Sequence, residues 1–251
     1  VRLIQTKNYT IAANEYGEFR SKKLCILLPG RLDTKDYINF VSHGELLSKK
    51  GYYVVAIDPP FTWDSPGDIN NYCTSEYLRA VNELISEMGD RKTLLLGHSR
   101  GGATAMLASE NPNVEAVILV NAAYGYPSPP TEDEIVDGYL PEFRDLPPGD
   151  KRTDEKIEFK LPINYFIDGS KYNPADTLKK FQGPKLLFHS TDDEFSSVAS
   201  VRKVYEELSG PKMFIEIAKT HDYRLYPEVI KEVNSVLNKF IDEMVDNYER
   251  N

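Results

Sequence analysis

The chain has 251 residues, 41% of them hydrophobic and 27% charged, a composition that fits a folded globular domain and leaves no room for a disordered or low-complexity chain. A formal charge of -9 argues against nucleic acids and anionic membrane surfaces, whose phosphates call for clustered Lys and Arg. Two cysteines, Cys25 and Cys73, rule out a disulfide framework, and no apolar run approaches the length of a membrane span.

Residues 2–6 and 9–14 alternate loosely around Lys7-Asn8, which predicts an antiparallel pair at a sheet edge. The pattern then changes. Leu24 to Leu28 and Tyr53 to Ile57 are continuous apolar runs of the kind that form strands buried on both faces. Between them, Phe40, Val41, Leu46 and Leu47 fall at helical spacing, with His43 read as a solvated residue on that helix. A helix opened by Ser75 follows, carrying Leu78, Val81, Leu84, Ile85 and Met88 and stopped by Gly89.

Leu94 to Leu96 is the next strand, and it runs into Gly97-His98-Ser99-Arg100-Gly101-Gly102 and an alanine-rich helix. The pattern G-x-S-x-G between a strand and a helix predicts a turn so tight that the Ser99 hydroxyl stands exposed above the sheet. Val114 to Val120 forms another buried strand. The alternation then breaks over about 124–175, where half of the 16 prolines fall, so a functional insertion is expected there, with short helices near 131–139 and 174–182. Strand Lys185 to His189, helix Val198 to Leu208, strand Met213 to Ile217 and a long last helix complete the chain. That helix carries Val229, Val233, Val236, Phe240 and Met244 on one stripe.

Alternating strands and helices predict one α/β domain over 1–251: a mostly parallel twisted sheet with helices on both faces, interrupted by a cap after the sixth core strand. Ligands of such sheets lie at the carboxyl ends of the strands, where Ser99 falls. A serine hydroxyl needs a base to take its proton and a carboxylate to orient that base. Of the four histidines, His98 is expected to point away from Ser99 into neighbouring strands and His189 to be a satisfied core or rim residue. His221, in the loop after the last strand, is the candidate base. Asp193 is the candidate acid, 28 residues before it and again at the carboxyl edge, with Asp192 and Glu194 as alternatives. The oxyanion donors are expected to be the backbone N–H groups of Arg100 and Arg31, with Leu32 as the alternative to Arg31. Leu32, Trp63, Tyr124, Tyr126, Tyr172, Phe195 and Tyr223 are candidate pocket residues.

These residues resemble the α/β-hydrolase superfamily over nearly the whole chain. Pro29-Gly30 stands at its His-Gly oxyanion motif, Asp58 at the Asp after the next strand, Gly97 to Gly101 at its elbow, Ser190 to Phe195 at its Gly-x-x-Asp acid loop and His221-Asp222 at its closing His. Within the superfamily the chain looks most like serine carboxylesterases of the dienelactone-hydrolase and cinnamoyl-esterase type. Pro29 and Ser190 depart from the usual His and Gly, and Ser196-Ser197 stands where Val-Pro is common. The resemblance implies a serine hydrolase of small-molecule carboxylic esters, with no cofactor and no metal, and Asp58 in a structural role. A thioesterase, peptidase or acyltransferase using the same triad is the alternative, and a non-catalytic ligand receptor on this fold a third reading. With no apolar signal segment at Val1, a cytoplasmic location is expected; oligomeric state is not written in the motifs.

Overall fold

The computed structural model describes residues 1–248. An antiparallel pair, β1 (Arg2–Gln5) and β2 (Thr10–Tyr16), opens the chain and places β1 at one edge. Then come β3 (Lys23–Leu28), α1 (Ile38–Lys49), β4 (Tyr53–Ile57), α2 (Thr74–Glu87), β5 (Lys92–His98), α3 (Arg100–Ala108) and β6 (Val114–Val120). After an insertion, β9 (Lys185–Ser190), α6 (Val198–Glu207), β10 (Lys212–Ile217) and α7 (Pro227–Phe240) return to the same architecture. The sheet has eight strands in the order β1-β2-β4-β3-β5-β6-β9-β10, parallel from β4 to β10.

The continuous apolar runs are explained by burial on both faces. Leu24, Ile26 and Leu28 of β3 face α2 and α3, while Cys25 and Leu27 face α1 and α7. On α7 the buried seam is Val229, Ile230, Val233, Leu237 and Phe240; Val236, expected on the central stripe, is only partly buried. A π turn over Ile241–Val245 follows, and it buries Ile241 and Val245 in place of Met244. The wider turn shifts the facing residue by one. No helix among the described residues is long and apolar enough to cross a membrane.

The insertion leaves the sheet after β6, at the sixth strand as expected; of the two short helices expected in it, the one near 174–182 forms and the one near 131–139 does not. Only a 3-10 turn at Glu132–Glu134 forms within 131–139. The main element is a two-stranded hairpin, β7 (Tyr139–Asp145) and β8 (Lys156–Pro162), followed by α4 (Asn164–Gly169) and α5 (Pro174–Lys180). Asp168 of α4 docks the insertion on the sheet domain: its carboxylate accepts from Ser75 N at 2.7 Å and from Ser75 Oγ at 2.7 Å, in the first turn of α2.

Candidate active site

Ser99 joins β5 to α3 with φ 52° and ψ -122°, a backbone region that side chains other than glycine rarely occupy. Surrounding backbone holds it there: Ser99 N donates to Val120 O at 3.1 Å, and Ser99 O accepts from Gly102 N and Ala123 N at 3.0 Å each. The flanking glycines are steric necessities. A Cβ on Gly97 would lie 2.4 Å from Gly101 O, and one on Gly101 would lie 2.1 Å from Leu28 O and 2.4 Å from Pro29 O. Those contacts are with backbone, which cannot rotate away. Gly101→Ala is therefore expected to destabilise the fold by about 3 kcal/mol, read as a lower urea midpoint at unchanged m value. A midpoint within 0.2 M of wild type would refute that reading of the turn.

The candidate acid and the candidate base, far apart in sequence, lie side by side. His221 Nδ1 lies 2.6 Å from Asp193 Oδ2, and Asp193 Oδ1 accepts from Phe195 N at 2.8 Å and Ser196 N at 3.0 Å. An ionised carboxylate only accepts, so Nδ1 carries the proton and Nε2 is left as the basic nitrogen. Burial would raise the Asp193 carboxyl, but His221 and the two backbone N–H groups outweigh it and hold it below the usual carboxylate range. Glu194 takes a different place, accepting from His221 N at 3.0 Å, and Asp192 N donates to Lys219 O at 3.1 Å. Among the described residues no hydrogen bond joins the Ser99 hydroxyl to His221, whose ring is held by Asp193 alone through Nδ1.

The loop after β3 lies against the serine: a Cβ on Gly30 would stand 3.1 Å from Ser99 Cβ. Arg31 follows Gly30 and Arg100 follows Ser99 in the chain, and neither backbone N–H has a hydrogen-bond partner among the described residues. Leu32 is fully buried, at φ 59°, with its N–H facing the Tyr72 hydroxyl.

Ser99, Arg31, Arg100 and His221 open on a cavity of about 800 Å³. Of the expected pocket residues, Tyr124, Tyr126 and Phe195 line it, with Val201, Val204 and Phe143 adding apolar wall. The other four do not. Leu32 packs beneath the hairpin with Tyr72 and Tyr165, and Trp63 Nε1 donates to Leu32 O at 2.9 Å while its ring packs on Tyr37 and Phe159. Tyr172 shares a hydrogen bond of 2.7 Å with Ser75 Oγ at the foot of the insertion. Tyr223 turns into the core behind His221, because the chain folds into a 3-10 turn immediately after Asp222.

Tyr223 also corrects the reading of His43, which is buried rather than solvated. His43 Nδ1 donates to Asn234 Oδ1 at 2.6 Å, so its Nε2 accepts from the Tyr223 hydroxyl at 2.8 Å, and burial pushes the imidazole down to about 4. His98 departs from expectation, lining the cavity with Ser99 and donating from Nε2 to His221 O at 3.1 Å instead of turning into neighbouring strands. His189 is buried as expected and donates from Nε2 to Ser196 O at 2.9 Å, but its Nδ1 has no hydrogen-bond partner among the described residues. Asp58 is structural, as the resemblance implies, accepting from Thr34 Oγ1 at 2.7 Å, Lys35 N at 3.0 Å and Lys35 Nζ at 2.9 Å.

Several groups at the cavity had no sequence signal strong enough to single them out. Asp33 Oδ2 lies 3.4 Å from His98 Nδ1, and the pair faces the back of the site. Burial works against both charges, yet each stabilises the other, so Asp33 is held low and His98 is raised. From the hairpin come Glu142, Arg144 and Asp145, which meet Arg31, Asp33 and Arg224. Arg152 bridges Asp145, at 3.0 Å, and Asp222. The i, i+2 spacing of Glu142 and Arg144 on β7 is the one trace a sequence could have shown. Among the described residues no group of three His, Cys, Asp or Glu side chains is placed to hold a metal ion.

Comparison with known proteins agrees with this geometry. The model of the alpha/beta hydrolase fold family matches residues 24–160. A pyrethroid hydrolase of Sphingobium wenxiniae is 26% identical over 221 residues, covering 74% of this chain and 78% of its own length. The mitochondrial palmitoyl-protein thioesterase ABHD10 of Mus musculus is 20% identical over 80% of this chain and 68% of its own. Among solved structures, Est1E from Butyrivibrio proteoclasticus with ferulic acid bound superposes with a TM-score of 0.77 at 18% identity, over 98% of this chain and 100% of the other. DcsB in complex with its substrate analogue gives 0.79 at 19% identity, over 97% and 99%. On the family match, carried by more than half of its length, the chain belongs to the alpha/beta hydrolase fold family.

Proposed function

We propose that this protein is a serine hydrolase that cleaves carboxylic esters of small molecules through an acyl-enzyme on Ser99. The observation that carries the reading is the His221 Nδ1 to Asp193 Oδ2 contact of 2.6 Å on the same cavity as the strained Ser99 turn. His221 Nε2 takes the Ser99 proton as Oγ attacks the acyl carbon. The carbonyl oxygen becomes an oxyanion received by the N–H groups of Arg31 and Arg100, the second at the start of α3. Collapse breaks the bond to the alcohol, which leaves with the proton from His221. Water then repeats the sequence, and the acid departs with Ser99 restored. Tyr124, Tyr126 and Phe195 form the apolar wall for the substrate, and the insertion at 124–175 is the cap of a single hydrolase domain. A cytoplasmic setting is part of the reading, supported by two cysteines that remain buried free thiols.

A thioester substrate is the second reading, favoured by the likeness to a palmitoyl-protein thioesterase. The acyl-enzyme is common to both, so the two differ only in the leaving group. Incubation with a fluorophosphonate probe is expected to add the probe mass to the Ser99 peptide and to abolish release of p-nitrophenol from acyl esters. Parallel assays on acyl thioesters rank the two leaving groups. A folded protein that leaves Ser99 unmodified and hydrolyses neither class would overturn the proposal.

A further inference from the structure

The loop Pro29 to Asp33 has to present Arg31 N–H to the developing oxyanion, and its first residue is a proline, whose side chain has no hydrogen-bonding group. Its first four carbonyls are nevertheless held. Tyr77 Oη donates to Pro29 O at 3.1 Å, Asp33 N to Gly30 O at 3.1 Å and Trp63 Nε1 to Leu32 O at 2.9 Å. The fourth hold comes from the insertion. Arg144 of β7 donates from Nε and Nη2 to Arg31 O at 3.2 and 3.0 Å.

The same strand grips the Arg31 side chain. Glu142, two residues earlier and so on the same face of β7, lies 2.6 Å from Arg31 Nη2 and accepts from Arg144 Nη1 at 2.9 Å. Because a peptide unit is planar, the bond at Gly30 O fixes the plane containing Arg31 N–H. The bonds at Arg31 O fix the next plane, so the torsions of Arg31 itself are held from both sides. Arg144 also has its Nε 3.8 Å from Asp33 Oδ1, which places a cation beside a carboxylate that would otherwise oppose a growing negative charge near Gly30.

We infer that Arg144, a residue of the cap, is a positioning residue for the oxyanion loop, so that the cap completes the catalytic frame instead of merely covering it. The inference rests on the proposed role of Arg31 N–H. It makes two demands: loss of the fork should lower the chemical step for even the smallest acyl group, and it should loosen the loop whether or not the enzyme turns over.

The test uses Arg144→Lys and Arg144→Ala in the full chain. With p-nitrophenyl acetate, kcat is expected to fall about tenfold to a hundredfold while KM stays within about threefold, the pattern of misplaced transition-state contacts. Added guanidinium at low millimolar concentration is expected to restore part of the kcat of Arg144→Ala. Amide hydrogen exchange in peptides covering 29–33 is expected to quicken in both variants. Wild-type kcat with unchanged exchange in Arg144→Lys overturns the inference, as does a loss confined to KM, which would make Arg144 a substrate contact. Should Arg144→Ala fail to fold, Arg144→Lys decides alone. If wild-type protein is neither labelled at Ser99 nor active, the functional proposal fails by itself, and the exchange measurement still decides whether Arg144 holds the loop.

Discussion

Asp193→Asn is expected to lower kcat on p-nitrophenyl acyl esters about 10⁴-fold, roughly 5.5 kcal/mol of transition-state stabilisation, with KM changed only a few-fold. The reason lies in how both carboxylate oxygens are used. Phe195 N and Ser196 N both donate to Oδ1, so an asparagine must keep its carbonyl oxygen there. Its NH₂ group then faces His221 Nδ1, which has to become an acceptor, and the imidazole proton moves to Nε2. Nε2 is the nitrogen that must take the Ser99 proton. The variant keeps the shape of the site and presents the wrong tautomer. Because Asp193 is held below the usual carboxylate range, its support for the wild-type fold is present above pH about 4 and lost as pH falls through the lower native value. An acid limb seen above pH 5 therefore reports another group. Glu194→Gln and Asp192→Asn, the two alternatives left open by the sequence, are expected to cost less than about tenfold, since neither carboxylate meets the imidazole. If Glu194→Gln lost as much as Asp193→Asn, the assignment of the acid would be wrong.

The sheet was legible because burial on both faces leaves a continuous apolar run, as in Leu24 to Leu28 and Val114 to Val120, and such runs survive any detail of loop packing. The candidates Ser99, Asp193 and His221 were legible for a related reason: each stands in the loop or turn that closes a parallel strand, so the topology alone returns them to one sheet edge. The hairpin was obscured by Pro141, Pro147, Pro148 and Pro162, which read as breakers. In a two-stranded ribbon every strand is an edge, and a proline whose missing N–H would point outward costs no ladder bond. The charged frame of Glu142, Arg144, Asp145 and Arg224 was illegible because each group also has a partner tens of positions away, which local pattern does not reveal. Tyr223 and His43 failed for the same cause. A tyrosine two residues from a base points into the core here because Asn39 and His43 of α1 wait there for its hydroxyl.

Lys35→Met is expected to destabilise the protein by about 3–5 kcal/mol at pH 8. The Lys35 ammonium is fully buried, 2.9 Å from Asp58, 2.7 Å from Asp36 and 2.9 Å from Asp64. Burial would push it down, but the three carboxylates outweigh that and raise it, so it stays cationic. Asp36 and Asp64 reach solvent and can turn to water when the ammonium is gone. Asp58 cannot, being fully buried at the end of β4. Methionine fills much of the lysine volume, so the penalty arises chiefly from the stranded charge. Burial already raises the Asp58 carboxyl, and removing Lys35 raises it further. A raised carboxyl binds a proton more tightly in the folded than in the unfolded chain, so stability grows as pH falls through its native value. The penalty is therefore expected to shrink between pH 8 and pH 5, whereas a loss of packing would not depend on pH. Urea unfolding at both pH values decides, and Lys35→Met combined with Asp58→Asn should recover part of the loss at pH 8. Thr34 and Lys35 follow directly on the oxyanion loop, so the same variant should lower kcat as well as stability. A penalty of equal size at both pH values would mean that the ammonium only fills space.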